Sequence, residues 1–148
     1  MRFRPDNQKF ARLYRSFLYR LVGGMVLLLT TTGRRSGKPH TVGLQYEWIN
    51  GAYWVGAADG PRADWYRNAQ SQPRVEIQAG KHCIHATFKA LEEPGRVAEF
   101  LAHRLKKRPL LMRLILRQSG LRGPISPPLL LAYARQIRAA VIIPDSSP

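Results

Sequence analysis

The dipeptide Asn50-Gly51 stands between two segments rich in aromatic and β-branched residues, Thr41–Ile49 and Ala52–Ala58. Asn-Gly is the pair that a type I′ turn prefers, because both central residues of that turn take positive φ angles. This turn matches the right-handed twist of antiparallel strands and joins them in a tight hairpin. The sequence therefore predicts a β-hairpin, and the remaining elements must extend or cover its sheet.

Further strands are predicted where apolar, β-branched runs are bounded by Gly, Pro or Asp. They are Met25–Thr32, Arg74–Ala79, His82–Ala90 and Ala139–Ile143. Helices are predicted where apolar residues recur at intervals of three and four, namely over residues 9–22, 63–71, 94–106, 110–116 and 129–138, with a loop at 119–128. This order of elements predicts an α+β fold in which a mostly antiparallel sheet rolls into a small barrel.

A chain of 148 residues has room for one domain with one hydrophobic core. Its 45% hydrophobic content argues against disorder, which requires low hydrophobicity together with high charge. We expect a single domain over residues 1–148. It comprises an amphipathic helix at about 9–22, a barrel core at about 25–90, and a helical segment with the last strand at about 94–143.

The chain is strongly basic, with 24 Lys and Arg against 9 Asp and Glu and a net charge of +15. Such a balance favours anionic partners: a phosphorylated cofactor, nucleic acid or an acidic membrane surface. The basic helix at 9–22 and the segment 105–122 could lie on an anionic membrane. Alternatively, their apolar faces cover the barrel and their basic faces are solvated. A nucleic-acid-binding module is less favoured, because no helix-turn-helix, zinc-finger or RNP motif is recognised.

Cys83 is the single cysteine, so no disulfide can form within the chain. We expect it to be a small buried residue. His82 and His85 flank it at a spacing that sends them to opposite faces of a strand, so no metal site is predicted. No apolar stretch is long enough to cross a bilayer. These features predict a cytoplasmic protein.

The loop from Gly33 to His40, with the sequence GRRSGKPH, has the residue types that bind anions. Two glycines allow a tight turn that exposes backbone amides, and Arg side chains can donate two hydrogen bonds to one phosphate. The spacing is not that of a Walker loop. On spacing alone, a solvated basic turn is an equally good interpretation.

The run LLTTTGRRSGKP at 28–39, followed by the hairpin, DWYRN at 64–68 and PRVEI at 73–77, resembles the deazaflavin-dependent nitroreductase family. The resemblance covers residues 24–90 and, more loosely, the C-terminal part. It implies a split β-barrel similar to that of FMN-binding oxidoreductases, usually a homodimer. It also implies hydride transfer from coenzyme F420, a phosphorylated 5-deazaflavin with an acidic tail, to a nitroaromatic, quinone or enone acceptor.

The resemblance implies which residues contact the cofactor. They are Gly33, Arg34, Arg35, Ser36, Gly37, Lys38, Pro39 and His40 of the loop, Val42, Gly43 and Leu44 of the next strand, and Ala57, Ala58, Arg62, Trp65, Tyr66 and Asn68 beyond the hairpin. Many acceptors need a proton as well as the hydride, and the candidate donors, or pocket residues, are Tyr46, Tyr66 and Tyr133.

Three positions depart from the family pattern. His40 stands where an Arg is usual, Gly43 where Pro is common, and Asp59 where a lysine contacts the cofactor. Arg62 could supply the positive charge that Asp59 removes. Two alternatives of the same fold therefore stay open: an FMN-binding oxidoreductase, and a barrel that binds a ligand without turnover.

Overall fold

The computed structural model describes residues 26–57, 60–79, 82–121 and 123–146. The predicted helix at 9–22 lies outside the described residues, as do Met25, Ala58 and Asp59. The elements are β1 (Val26–Thr32), β2 (Pro39–Ile49), β3 (Ala52–Ala57), α1 (Asp64–Ser71), β4 (Arg74–Ala79), β5 (His82–Leu91), α2 (Pro94–Lys107), α3 (Pro109–Gln118), α4 (Pro127–Ala134) and β6 (Arg138–Pro144). A single 3₁₀ turn at Gly60–Arg62 precedes α1.

The strands form a closed antiparallel barrel in the order β1-β2-β3-β6-β5-β4. The predicted hairpin joins β2 to β3, with Asn50 at φ 49° and Gly51 at φ 77°, both in the positive range that a type I′ turn requires. The last strand, β6, inserts between β3 and β5, pairing Val55 with Ala140 on one side and Phe88 with Ile142 on the other. The prediction of an α+β split barrel is confirmed.

Alternation along the strands separates two layers of the core. Side chains that point into the barrel include Leu27 and Leu29 of β1, Val55 of β3, and Ile77 of β4, each fully buried. On β3 the intervening Trp54 points outward and packs against Phe100 of α2, with ring centroids 5.9 Å apart. Successive side chains on a strand point to opposite faces, so β3 contributes side chains both to the barrel interior and to the layer beneath the helices.

Helices α2, α3 and α4 cover one outer face of the barrel. Their buried residues are Val97, Phe100, Leu101, Met112, Leu116, Leu130, Tyr133 and Ala134, and they pack on Leu91 and Ala139 of the strands. Helix α1 is separate from this layer and lies against β1, β2 and β5. It thereby comes beside the loop between β1 and β2.

Two predictions are corrected. The helix expected at 129–138 spans Pro127–Ala134, because Ser126 caps its N-terminus and the two prolines fit a first turn, where backbone N–H groups have no acceptor within the helix. Cys83, expected to be buried, is exposed. On the same strand, β5, Ala86 and Phe88 face the barrel interior. Cys83 is an odd number of residues away from both, so its side chain faces outward.

Candidate functional site

The loop between β1 and β2 is held in a tight turn by its own backbone. The Gly33 N–H donates to the Lys38 carbonyl at 2.7 Å, and the Gly37 N–H donates to the Gly33 carbonyl at 2.8 Å. Gly37 has φ +67°, a conformation that favours glycine. At Gly33, an added Cβ would lie 2.5 Å from Ser36 Oγ and 2.8 Å from His40 Nε2. The turn thus favours glycine at position 37 through its backbone conformation, and a side chain at position 33 would displace those of Ser36 and His40.

Arg34 fixes this loop to helix α1. Its Nη1 donates to the Asn68 side-chain oxygen at 2.8 Å, and its Nη2 lies 3.0 Å from an Asp64 carboxylate oxygen. The backbone N–H of Arg34 also donates to the Asn68 oxygen, at 3.2 Å. The guanidinium is only about one-fifth exposed. Arg34 was predicted to bind an anion, but two of its guanidinium nitrogens already bond to Asn68 and Asp64 within the protein.

Asn68 is the link between the loop, the helix and the barrel. It is buried, and its side-chain nitrogen donates to the Thr31 hydroxyl of β1 at 3.4 Å while its oxygen accepts the two bonds from Arg34. A buried amide requires such partners, because an unpaired one costs free energy. The loop is therefore anchored to the barrel through one side chain.

The other cations of the loop are available to a ligand. Within the described part of the chain, neither the Arg35 nor the Lys38 side chain has an ion-pair partner. Nor do the backbone N–H groups of Arg35 and Ser36 have a hydrogen-bond acceptor there. Ser36 Oγ accepts from the Lys38 N–H at 3.2 Å and lies 3.4 Å from His40 Nε2. Two cations and two amides can thus meet an anion.

A cavity of about 420 Å³ opens beside this loop. It is lined by Gly33, Arg34, Arg35, Ser36, His40, Thr41, Val42, Asp64, Trp65 and Asn68. The loop supplies a basic, polar side, and Val42 and Trp65 supply an apolar wall, a combination typical of a site for a planar ligand with a charged arm. The structure therefore brings together loop, strand and helix residues that are far apart in the sequence.

Other predicted cofactor residues lie outside the lining of this cavity. Gly37, Lys38 and Pro39 belong to the same loop, and Gly43 and Leu44 follow on β2. Ala57 is buried inside the barrel and pairs with Arg138 of β6. Arg62 is exposed on the 3₁₀ turn. Ala58 lies outside the described residues.

The three candidate tyrosines are in different places. Tyr66 is buried on α1, packs edge-on against Trp65 and Phe88, and lines a second cavity of about 320 Å³ with Arg135 and Arg138. Burial raises the pKa of its hydroxyl, and Arg138 opposes that shift. Tyr46 packs edge-on against Tyr53 at the barrel.

Tyr133 belongs to the outer helical layer. Its hydroxyl lies 3.1 Å from Ser119 Oγ, just after α3, and its ring packs with the cluster that α2, α3 and α4 share. It lines neither the loop cavity nor the cavity beside Tyr66. The structure thus separates Tyr133 from the candidate anion site.

Asp64 and Thr41 also line the cavity, and sequence reasoning missed Asp64 and the hydrogen bond of Thr41. Asp64 was visible as part of the DWYRN motif, but nothing in the sequence shows that it pairs with Arg34, 30 positions earlier. The Thr41 hydroxyl lies 2.7 Å from that of Thr30 on the paired strand. This contact is predictable only once the strand register, in which Thr30 faces Thr41, is known.

A buried charge cluster joins β2 to α2 and was also missed. Glu47 is 2% exposed, and its carboxylate lies 3.1 Å from Arg108 Nε, 3.5 Å from Lys107 Nζ and 3.7 Å from Arg104 Nε. Arg104 Nη2 donates to the Gln45 side chain at 2.9 Å. Desolvation lowers the pKa of Arg104, and Glu47 opposes that change. The cluster fastens the helical layer to the barrel.

A comparison with known families assigns the chain. A sequence profile of the F420H(2)-dependent quinone reductase family matches residues 3–111, which include the basic loop, α1 and the first five strands. The chain belongs to this family. The predicted relationship to F420-dependent reductases is therefore confirmed.

A curated quinone reductase gives a more local match. The chain is 38% identical over 69 residues to an F420H(2)-dependent quinone reductase of Mycobacterium tuberculosis, covering 45% of this chain and 46% of that protein. The chain thus spans about half the length of the curated relatives it matches.

Solved structures agree with the split-barrel fold of this quinone reductase family member. The haem storage protein HutZ of Vibrio cholerae superposes with a TM-score of 0.58 at 15% identity, covering 99% of this chain and 92% of that one. The protein Rv2991 of Mycobacterium tuberculosis gives a TM-score of 0.58 at 16% identity, covering 88% and 81%. At these identities the likeness concerns the fold alone.

Proposed function

We propose that the protein is an oxidoreductase that binds reduced coenzyme F420 and transfers hydride from it to a small conjugated acceptor, with quinones as the principal class. The observation that carries this proposal is the loop at 33–40, which lines a cavity with an apolar wall. Among the described residues, Arg35 of that lining and Lys38 of the same loop have no ion-pair partner, and the amides of Arg35 and Ser36 have no acceptor. Membership of the quinone reductase family supports the choice of cofactor and acceptor.

The residues present fit a phosphorylated deazaflavin. The anionic arm would lie on Arg35 and Lys38, with Ser36 and the amides of Arg35 and Ser36 as hydrogen-bond donors. His40, also a cavity residue, takes the place of the Arg that is usual in related proteins. At Gly37 the space that a Cβ would take has no atom within 4 Å, so an anion can come close to the backbone there.

The bound coenzyme supplies the hydride from its ring carbon, and the protein supplies position and environment. Val42 and Trp65 would pack on the ring system and exclude water from it, while Arg34 and Asn68 hold the loop at a fixed distance from that wall. Fixed geometry of this kind lowers the barrier because the reacting groups are already oriented. The side chains thus act by binding and orientation.

A proton donor completes the proposal. Of Tyr46, Tyr66 and Tyr133, we favour Tyr66, because its chain neighbour Trp65 lines the cofactor cavity and Tyr66 itself lines the second cavity beside the same helix.

Three finer features form part of the proposal. Nitroaromatic and enone acceptors are further candidate substrates, and a cytoplasmic homodimer is the expected form; these rest on the resemblance to deazaflavin-dependent reductases. The described residues contain no helix with the length and hydropathy needed to span a membrane.

The decisive experiment is a fluorescence titration with coenzyme F420, run in parallel with FMN. We expect F420 to bind more tightly than FMN, and Arg35→Ala to weaken F420 binding about tenfold or more, since a charge-assisted bond contributes roughly 1.5–3 kcal/mol. Lys89→Ala, which removes an exposed cation from β5, is the matched control and should bind as the native protein does.

Turnover is measured by oxidation of reduced F420 with menadione or a nitroaromatic as acceptor. Rapid oxidation with the quinone supports the proposal. Tighter binding of FMN, or an Arg35→Ala variant with unchanged F420 affinity, would contradict the assigned cofactor or the assigned loop. Tight binding of F420 without oxidation by either acceptor would point to a ligand-binding barrel that does not catalyse.

A further inference from the structure

Helix α3 (Pro109–Gln118) exposes two large apolar side chains to solvent. Leu110 is 82% exposed and Leu114 is 54% exposed, and the spacing of four residues places them on one face. On the opposite face, Met112 and Leu116 are 1% exposed and pack into the helical layer. The exposed leucines are therefore not needed to hold α3 on the barrel.

Basic residues flank this apolar face. Arg113 and Arg117 are exposed on the same helix, beside the leucines at 3.6 residues per turn, and Lys106 is exposed shortly before it. The sequence contains no acidic residue between Glu99 and Asp145, while nine Lys and Arg occur in that interval. Leucine beside arginine, without neighbouring carboxylates, is the composition of a helix that lies on an anionic lipid surface.

A groove adjoins the same arginines. It has a volume of about 510 Å³ and is lined by Leu105, Arg113, Leu116, Arg117, Leu121, Gly123, Pro124 and Ile125. Its apolar lining includes Leu105, Leu121 and Ile125, and its cations are Arg113 and Arg117. This is the polarity that a lipid requires, because its charged headgroup is joined to an apolar chain.

We propose that α3 is a docking surface for a bilayer that contains anionic lipid. Leu110 and Leu114 enter the headgroup region, and Arg113 and Arg117 contact lipid phosphates. A second copy of the chain is the less suitable occupant, since a two-fold contact through this face would bring arginines from both copies together. This inference goes beyond the proposed redox function and does not depend on it.

The test is co-sedimentation of the full-length protein with vesicles. Vesicles of equal parts phosphatidylglycerol and phosphatidylcholine should bind the protein at about 0.1 M salt, and binding should weaken as salt screens the charges. Vesicles of phosphatidylcholine alone should bind it at least tenfold more weakly, because they lack the negative surface potential that attracts Arg113 and Arg117.

Two double variants locate the contact. Leu110→Ser with Leu114→Ser removes the apolar insertion, and Arg113→Glu with Arg117→Glu reverses the charge. Each should lower the partition coefficient about tenfold or more. Leu110→Ser alone, at the most exposed leucine, should lower it severalfold and provides a test that does not depend on the stability of the double variants. The controls are Ile143→Ser, at another exposed apolar residue, and Lys89→Glu, at another exposed cation; both should bind like the native protein.

Three results would overturn the inference. The native protein could stay in the supernatant with anionic vesicles. The variants of α3 could sediment as well as the native protein, which would place any membrane contact elsewhere in the chain. Light scattering could show that the leucine variants have a smaller particle mass than the native protein, which would make this face a contact between copies.

Discussion

The Arg34 guanidinium bridges Asp64, at 3.0 Å, and Asn68, at 2.8 Å, and so joins the basic loop to the helix that forms the other side of the cavity. The two neighbouring arginines of the loop therefore differ in role. Arg34 positions the loop, and Arg35, which has no ion-pair partner within the described residues, is available to the anionic arm of the cofactor. Variants of Arg34 should therefore report on the donor geometry that holds the loop, and variants of Arg35 on the positive charge offered to the cofactor.

Arg34→Lys should weaken F420 binding nearly as much as Arg34→Ala. A lysine ammonium keeps the charge but cannot reproduce the planar donor geometry that reaches Asp64 and Asn68 together. Arg35→Lys should bind within a fewfold of the native protein, because a ligand contact through charge tolerates the exchange better. Fluorescence titration of the three variants measures this difference. If Arg34→Lys binds F420 as tightly as the native protein does, then binding requires only the positive charge of Arg34 and not its donor geometry.

Asn68→Ala should lower both stability and cofactor affinity. The change leaves the Arg34 backbone N–H and the Thr31 hydroxyl without their partner, at a cost of about 1–3 kcal/mol. Thermal unfolding measures the loss of stability, and titration measures the affinity. Ser71→Ala, at the exposed last position of the same helix, is the control and should change neither quantity. An Asn68→Ala protein that unfolds at the native temperature would show that the anchor is not needed.

Gly33→Ala should weaken cofactor binding, because the new Cβ would lie within 3 Å of Ser36 Oγ and His40 Nε2 and force both side chains to move. Gly43→Ala is the contrasting change: its Cβ would meet only Val26 and Leu28 at ordinary contact distances, so the fold should be unaffected. Any loss of F420 affinity in Gly43→Ala then reports ring contact along β2. Equal affinity in Gly33→Ala and the native protein would contradict the described turn.

Glu47→Gln should destabilise the protein by about 3–5 kcal/mol, the range observed when one partner of a buried ion pair is removed. The buried Arg104 would lose its counter-charge, and Arg108 and Lys107 would lose a shared partner. Denaturant unfolding measures the change. Glu99→Gln, at an exposed carboxylate of α2, is the matched control and should stay within about 0.5 kcal/mol of the native protein.

Cys83 should react slowly with iodoacetamide despite its exposure. Lost hydration and then a hydrogen bond to Glu76 raise the pKa of its thiol to about 12, so the thiolate is scarce near neutral pH. A raised pKa stabilises the fold below the ordinary thiol pKa, and this contribution is lost as the pH rises toward 12. At pH 8 we expect alkylation roughly a hundredfold slower than in unfolded protein.

The control for this prediction is Glu76→Gln, which removes the nearby negative charge and should speed alkylation by moving the thiol pKa down. A folded protein that is alkylated as fast as the unfolded chain would show that the thiol is not held in its protonated form.

Much of the barrel could be predicted from the sequence because local signals agree with it. Asn50-Gly51 predicts its turn from chemistry alone, and the bounds of β4 match the prediction at both ends. The helix predicted at 129–138 begins two residues earlier in the structure, at Pro127, because consecutive prolines favour a loop in a sequence pattern but are compatible with the first turn of a helix. Local residue patterns thus predict the presence of a helix or strand better than the residues at which it begins and ends.

The candidate site was predicted only in part, because its geometry depends on contacts distant in sequence. The glycines and charges of the loop at 33–40 indicated a candidate anion site, and the family resemblance favoured it over a solvated turn, but its anchoring through Asn68 requires the placement of α1 on β1. Glu47 gives no sign in the sequence that it is buried, since it resembles any polar residue on a strand. Contacts between distant parts of the chain determine which charged side chains form ion pairs within the protein, as Glu47 does, and which can contact a ligand.

The position of β6 between β3 and β5 constrains how the chain can assemble during synthesis. Until Arg138–Pro144 has left the ribosome, two strands have unpaired edges that invite association with other chains. Nascent protein therefore depends on β6 to close the barrel, and stop codons introduced shortly before residue 138 should yield aggregates rather than a shortened barrel. Strand β6, the last strand of the described residues, thus closes a barrel whose basic loop at 33–40 is synthesised much earlier.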